Sequence, residues 1–128
     1  MMRAVIQHVT RRIQRSQLAA CLGFYGLLGY EQIAVPPAIE GRAVWLARSG
    51  AEPGAHLHLQ FAEEAPDPDP GHVAFVIAPY DETLASLRAA GFEVDPRREH
   101  WGSPRAYVRD PAANLVELMA RAPGQRAQ

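Results

Sequence analysis

Arg105-Ala106-Tyr107-Val108-Arg109-Asp110-Pro111-Ala112-Ala113-Asn114-Leu115-Val116-Glu117-Leu118-Met119 reads as a strand, a tight turn and a second strand. Segment 110–114 carries the turn residues, and apolar side chains dominate on either side of it. Glu117 falls inside the second strand, flanked by Leu115, Val116, Leu118 and Met119. Burying an unpaired carboxylate raises its pKa by up to about 3–5 units, so a buried one calls for a cation or a metal beside it. The alternative is a solvated face of a half-exposed sheet, where period-two alternation turns polar residues outward. Further polar residues on the same surface distinguish the two.

Outward from this stretch the chain alternates short strands with two helical segments. Arg3 to Val9 offers a strand, followed by the basic and polar segment 10–15. Ser16 is placed to cap a helix bearing Leu18, Cys21, Leu22, Tyr25 and Leu28, and Gly29 stops it. Strands are expected at Tyr30 to Val35, Arg42 to Arg48 and His56 to Phe61, with a turn-rich link over 49–54. In the last of these strands Leu57, Leu59 and Phe61 alternate with His56, His58 and Gln60. Three prolines and four acids make 63–71 a surface linker. Beyond it come a strand over 72–77, a helix capped by Asp81 and carrying Leu84 and Leu87, a stop at Gly91, a brief strand at Phe92 to Val94, and a loop over 96–104. Residues 121–128 read as a frayed tail.

The two halves repeat. His8-Val9 and His72-Val73 are 64 apart, Gly29-Tyr30 and Gly91-Phe92 are 62 apart, and Arg42-Ala43 and Arg105-Ala106 are 63 apart. Leu57-His58-Leu59 matches Val116-Glu117-Leu118 at a spacing of 59. Each half is thus strand, helix, then three strands, and four correspondences in order make an internal duplication. His8 and His72 fall at one pair of equivalent positions, and His58 and Glu117 at another. Two imidazoles and a carboxylate are donors for a divalent transition metal that keeps open positions for a substrate. Taken singly, each histidine also reads as a surface residue of a strand.

The 128 residues form one domain by length, 1–128, made of a module 3–62 and a module 71–121 joined by the linker 63–70. With 48% apolar and 21% charged residues and a net charge of −1, the chain is neither largely disordered nor basic, so nucleic acid and membrane are not expected partners. A single cysteine, no apolar run of spanning length and no signal-peptide pattern point to a cytoplasmic protein. Cys21 lies on the apolar stripe of its helix and reads as packed. No phosphate-cradling glycine loop, nucleophile elbow or cysteine pair supports nucleotide binding, triad hydrolysis or structural zinc.

The pieces His8-Val9-Thr10, Phe24-Tyr25-Gly26-Leu27-Leu28-Gly29-Tyr30, Gly71-His72-Val73-Ala74-Phe75 and Asp110 to Leu118, in this order, resemble the vicinal oxygen chelate superfamily of glyoxalase I, bleomycin-resistance proteins, extradiol dioxygenases and fosfomycin-resistance enzymes. The resemblance covers residues 3 to 121. It implies an α+β fold of two βαβββ modules forming a cupped, incomplete mixed β-barrel with helices outside, often completed as a homodimer. Its metal ligands carry over to His8, His72 and Glu117, and its fourth position falls on His58. Glyoxalase I has a glutamate there for proton transfer, so this departure argues against authentic glyoxalase I activity and leaves Glu117 as the candidate base. A second departure is Ala113, where the family's turn has glycine. The implied cofactor is a divalent ion (zinc, iron, manganese or nickel), and the implied partner is a small molecule.

Trp45 and Tyr107 are candidate pocket walls, with core or dimer packing as the alternative. Arg105 shares Tyr107's face and can hold an anionic substrate group, unless it is a solvated strand-end charge. His56 shares a face with His58, and His100-Trp101 lie in a loop suited to a lid. The expected function is a metal-dependent small-molecule enzyme. The alternatives are a non-catalytic drug- or metabolite-binding protein and a scaffold whose site has decayed.

Overall fold

Strands that alternate polar and apolar residues need one face covered and leave the other free for chemistry, and both halves of this chain build such a sheet. The structure, a computed structural model, describes residues 2–48, 54–65, 67 and 69–125. It divides into two compact units, Met1–Asp67 and Pro68–Gln128, and the division falls inside the acidic, proline-rich segment. The first unit contains β1 (His8–Ile13), a 3-10 turn (Arg15–Gln17), α1 (Leu18–Leu27), β2 (Tyr30–Ile33), β3 (Ala43–Arg48) and β4 (His56–Phe61). The second contains β5 (His72–Val76), α2 (Tyr80–Ala89), β6 (Asp95–Arg97), β7 (Arg105–Arg109) and β8 (Leu115–Met119).

Each unit is a βαβββ module with one open four-stranded mixed sheet, in the orders β1-β4-β3-β2 and β5-β8-β7-β6. The outer strand runs parallel to its neighbour (β1 with β4, β5 with β8) and the remaining pairs are antiparallel. The duplication extends to register: Thr10 pairs with His58 as Ala74 pairs with Glu117, and Trp45 faces His58 as Tyr107 faces Glu117. His58 and Glu117 are therefore structural equivalents, as are Trp45 and Tyr107.

In the first unit Ile13, Leu46, Leu57 and Leu59 are buried along with Cys21, Phe24 and Tyr25 of α1. In the second, Ala106, Val108, Val116 and Leu118 are buried along with Leu84 and Leu87 of α2. Period two then sends His56 and His58, or Tyr107 and Glu117, to the opposite face of each sheet. Gly29 (φ 90°) and Gly91 (φ 93°) take the left-handed conformation that ends each helix, as their positions in the sequence require.

Several boundaries differ from expectation. The first strand is His8–Ile13 rather than 3–9, because it pairs with β4 along its whole length and inserts the fully buried Ile13 into the core. Ser16 lies inside the 3-10 turn, and it is the Gln17 side chain that accepts the Gln14 N–H, at 2.9 Å. Pro79 precedes α2, so Asp81 sits with Glu82 in its first turn, where both complement the helix dipole. The short strand of the second half is Asp95–Arg97, not 92–94. It lies at the sheet edge, where Pro96 is tolerated. Arg105 aligns in register with Ala43, not with Arg42. The expected link over 49–54 falls, for 49–53, outside the described residues.

The turn 110–114 is built around Asp110, only 3% exposed. Its Oδ1 accepts the N–H groups of Ala112 (2.8 Å) and Asn114 (2.9 Å), and its Oδ2 accepts from Asn114 Nδ2 at 3.1 Å. Ala113 adopts φ 69°, the conformation for which glycine is the unstrained residue. Asp110 thus holds the turn that delivers β8, and with it Glu117.

Candidate metal centre

In the second unit Glu117 is 7% exposed, so the solvated-face reading does not hold for it. Its Oε1 lies 3.0 Å from His72 Nε2, and its Oε2 lies 3.4 Å from Arg105 Nη1. His72 Nδ1 is 3.1 Å from the Pro70 carbonyl oxygen. A carbonyl only accepts, so Nδ1 carries a proton, and Nε2 is the atom turned to the carboxylate; a lone pair there would face the lone pairs of Oε1. Two acceptors cannot face each other at 3.0 Å without a cation between them. That cation is either a proton or a metal ion.

The donor set suits a metal. With bonds of about 2.1 Å, two adjacent donors of an octahedral ion stand about 3.0 Å apart, and the His72 and Glu117 donors are 3.0 Å apart. A backbone carbonyl on the far nitrogen is also the usual way in which a ligating histidine is oriented. Tyr107 stands beside the pair, its ring 5.5 Å from that of His72. The guanidinium carbons of Arg97 and Arg105 lie 5.1 and 5.5 Å from its ring centre. A cleft of about 540 Å³ lined by Pro70, Asp95, Arg97, Tyr107 and Leu115 opens on this unit.

In the first unit the equivalent positions form a stack of rings. His58 is 8% exposed and lies between His8, at 4.1 Å and 15°, and Trp45, at 4.3 Å and 4°. Burial, and then the neighbouring His8 and His56, push the His58 pKa down to about 4, so its ring is neutral at neutral pH. Its Nε2 is buried with no hydrogen-bond partner among the described residues. His8 is exposed, and its Nδ1 is 2.7 Å from Gln7 Oε1. The same amide, through Nε2, is 3.2 Å from His56 Nδ1. An amide oxygen only accepts, so His8 carries its proton on Nδ1 and offers the Nε2 lone pair.

These contacts rank the two imidazoles. Lone pairs lie in the ring plane, so stacked, nearly parallel rings direct theirs side by side rather than to one point. His58 as placed therefore cannot share an ion with His8, and serves as the ring against which His8 rests. A cavity of about 430 Å³ lined by His8, Thr10, Ile39, Arg42, Trp45 and His58 adjoins the stack. A larger cleft of about 590 Å³, around Gln14, Arg15 and Phe61, touches no candidate residue.

Arg105 is 9% exposed and turned to Glu117, which excludes the solvated-charge reading. Trp101 is anchored, its Nε1 donating to Arg121 O at 2.8 Å, while Arg121 N–H donates to Ser103 Oγ at 2.9 Å. These bonds hold the start of the expected tail in place, whereas 126–128 lie outside the described residues. His100 is exposed. Among the described residues no three His, Cys, Asp or Glu side chains gather closely enough to hold an ion. The close contacts are His72 with Glu117 in one unit and His8 with His58 in the other. The outer partners Gln7 and Arg98, whose carbonyl oxygen accepts from Arg105 Nε at 2.8 Å, carry no pattern in the sequence, being a side-chain amide and a backbone carbonyl.

A sequence profile of the glyoxalase/bleomycin resistance protein/dioxygenase superfamily matches residues 5–118. The chain belongs to this superfamily. Within the superfamily's fold, a glyoxalase family protein from Bacillus anthracis is 25% identical, with a TM-score of 0.79 over 93% of this chain and 98% of that one. TnmS3, an antibiotic binding protein from Streptomyces sp. CB03234, is 23% identical, with a TM-score of 0.72 over 93% and 97%. A point mutant of the fosfomycin resistance protein FosX from Listeria monocytogenes, complexed with Mn(II) and 1S,2S-dihydroxypropylphosphonic acid, is 20% identical, with a TM-score of 0.71 over 94% and 95%. A search of curated protein sequences gave no match. Among the described residues no helix is long and apolar enough to cross a membrane.

Proposed function

We propose that this member of the superfamily is a metal-dependent enzyme acting on a small molecule that presents two neighbouring oxygens. The observation that carries the reading is His72, whose Nε2 faces Glu117 Oε1 at 3.0 Å while Pro70 O occupies Nδ1. His72 and Glu117 would hold the ion, and an imidazole with a carboxylate accepts manganese, iron, nickel or zinc; His8, its Nδ1 held by Gln7, is the first unit's own candidate ligand. When bound, such an ion supplies Lewis acidity at the substrate's paired oxygens. The protein's own residues orient the donors: Pro70 O holds the ring of His72, and Gln7 together with the His58–Trp45 stack holds that of His8. Trp45 and Tyr107 supply apolar and aromatic walls. The manganese and vicinal diol of the FosX complex support the same class of substrate for this chain.

A second reading, a non-catalytic binding protein, is favoured by the His8–His58–Trp45 stack beside its cavity, a surface suited to a flat apolar ligand, and by the likeness to TnmS3. Elemental analysis of the purified protein, beside His72→Ala checked for folding by circular dichroism, separates the two. Near-stoichiometric metal that is lost in the folded variant is the expected result. No metal in either protein, even after incubation with manganese, iron, nickel and zinc, would refute the enzyme reading.

A further inference from the structure

Glu117 has two oxygens, and only one of them faces His72; the other is held by Arg105. We infer that Arg105 is a positioning residue that fixes Glu117 so that the carboxylate offers Oε1 alone to an ion at His72 and cannot turn to act as a general base. The inference rests on the metal reading above and assigns Arg105 a different task from gripping an anionic substrate.

Three observations converge on it. First, the guanidinium is itself immobilised: Arg105 Nε donates to Arg98 O at 2.8 Å, and the side chain is 9% exposed. A group fixed at Nε presents Nη1 in one direction, toward Glu117 Oε2 at 3.4 Å. Second, the first unit is an internal control. Its residue in register with Arg105 is Ala43, and its residue in register with Glu117 is His58, which is not a carboxylate. The cation occurs only in the repeat that carries the carboxylate. Third, the two oxygens have different partners, Oε1 at His72 and Oε2 at Arg105, so turning the carboxylate would break both contacts at once.

Electrostatics and positioning predict opposite signs on removal of Arg105, and that makes the test decisive. Loss of a nearby positive charge alone should tighten binding of a divalent cation. Loss of an orienting partner should weaken it, typically by about 10–100-fold. The experiment is Co(II) binding to the full chain by optical titration, for wild type, Arg105→Met and Arg105→Lys, with near-ultraviolet circular dichroism as the check on folding. Arg105→Lys keeps the charge but loses the Nε anchor, and it serves if the methionine variant fails to fold. The expected result is binding weakened at least about tenfold in both variants, with a changed Co(II) visible spectrum reporting altered coordination. Binding that is tighter or unchanged, with the wild-type spectrum, overturns the positioning role while leaving the metal site standing. Absence of Co(II) binding by the wild type overturns the metal reading and this inference together.

Discussion

Replacing Glu117 with glutamine in the metal-free protein keeps the shape of the side chain and removes its charge, leaving the Arg105 guanidinium buried without a counter-ion. At 3.4 Å and an effective dielectric constant near 20, the gross attraction between the two charges is about 5 kcal/mol. Desolvation of both groups offsets much of that, and the amide oxygen still accepts a hydrogen bond. The expected loss of stability is therefore about 2–4 kcal/mol, near or just below the range for breaking a buried pair. Arg105→Met should cost a comparable amount, because it strands the carboxylate. The double variant should be more stable than the sum of the two losses implies, by about 1–3 kcal/mol of coupling. Urea unfolding with a chelator present gives these values. In a Trp45→Phe background the remaining Trp101, bonded to Arg121 O, reports on the second unit. A coupling below about 0.5 kcal/mol, within the scatter of additivity, would show that the two charges do not form an energetic pair.

Other perturbations follow from the same geometry. Asp110→Ala, which removes the acceptor of the Ala112 and Asn114 N–H groups inside the turn, should lower stability by about 2–4 kcal/mol in urea unfolding, given a cost of about 1–3 kcal/mol for each buried group left unpaired. Ala113→Gly should raise stability by about 0.5–1 kcal/mol, because φ 69° costs an alanine more than the chain entropy of glycine does; any loss would contradict the strain argument. In the metal-free protein the His58 ring should titrate near pH 4 by nuclear magnetic resonance, against an ordinary value of 6.5. Because that folded value is depressed, His58's contribution to stability is complete above about pH 6.5 and is lost as pH falls through 4, so His58→Gln should flatten that part of the stability profile. Gln7→Ala should weaken metal binding about tenfold by freeing the His8 tautomer, while Gln7→Glu, which keeps an acceptor at Nδ1, should restore it.

The duplicated βαβββ order, the two helices and the pairing of His8 with His72 and of His58 with Glu117 were all legible in the sequence. Alternation of apolar residues and helix-stopping glycines are local signals, and a repeat compares like with like. Strand ends were less legible. β1 extends to Ile13 because parallel pairing with β4 continues through Arg11 and Arg12, and cross-strand partners have no local signature. The Arg42 and Arg105 correspondence slipped by one residue for the same reason, since register is set across the sheet rather than along the chain.

What the sequence determined by itself is therefore the fold, the superfamily and the chemical types at four positions. Only the tertiary structure decided what those groups do to one another. It set Arg105 beside Glu117, sealed His58 between two rings with a neutral imidazole, and brought Nε2 of His72 up to a carboxylate oxygen. The physical reason is range: propensity and periodicity act over a few residues, whereas protonation and ligand orientation depend on contacts of about 3 Å between strands far apart in the chain.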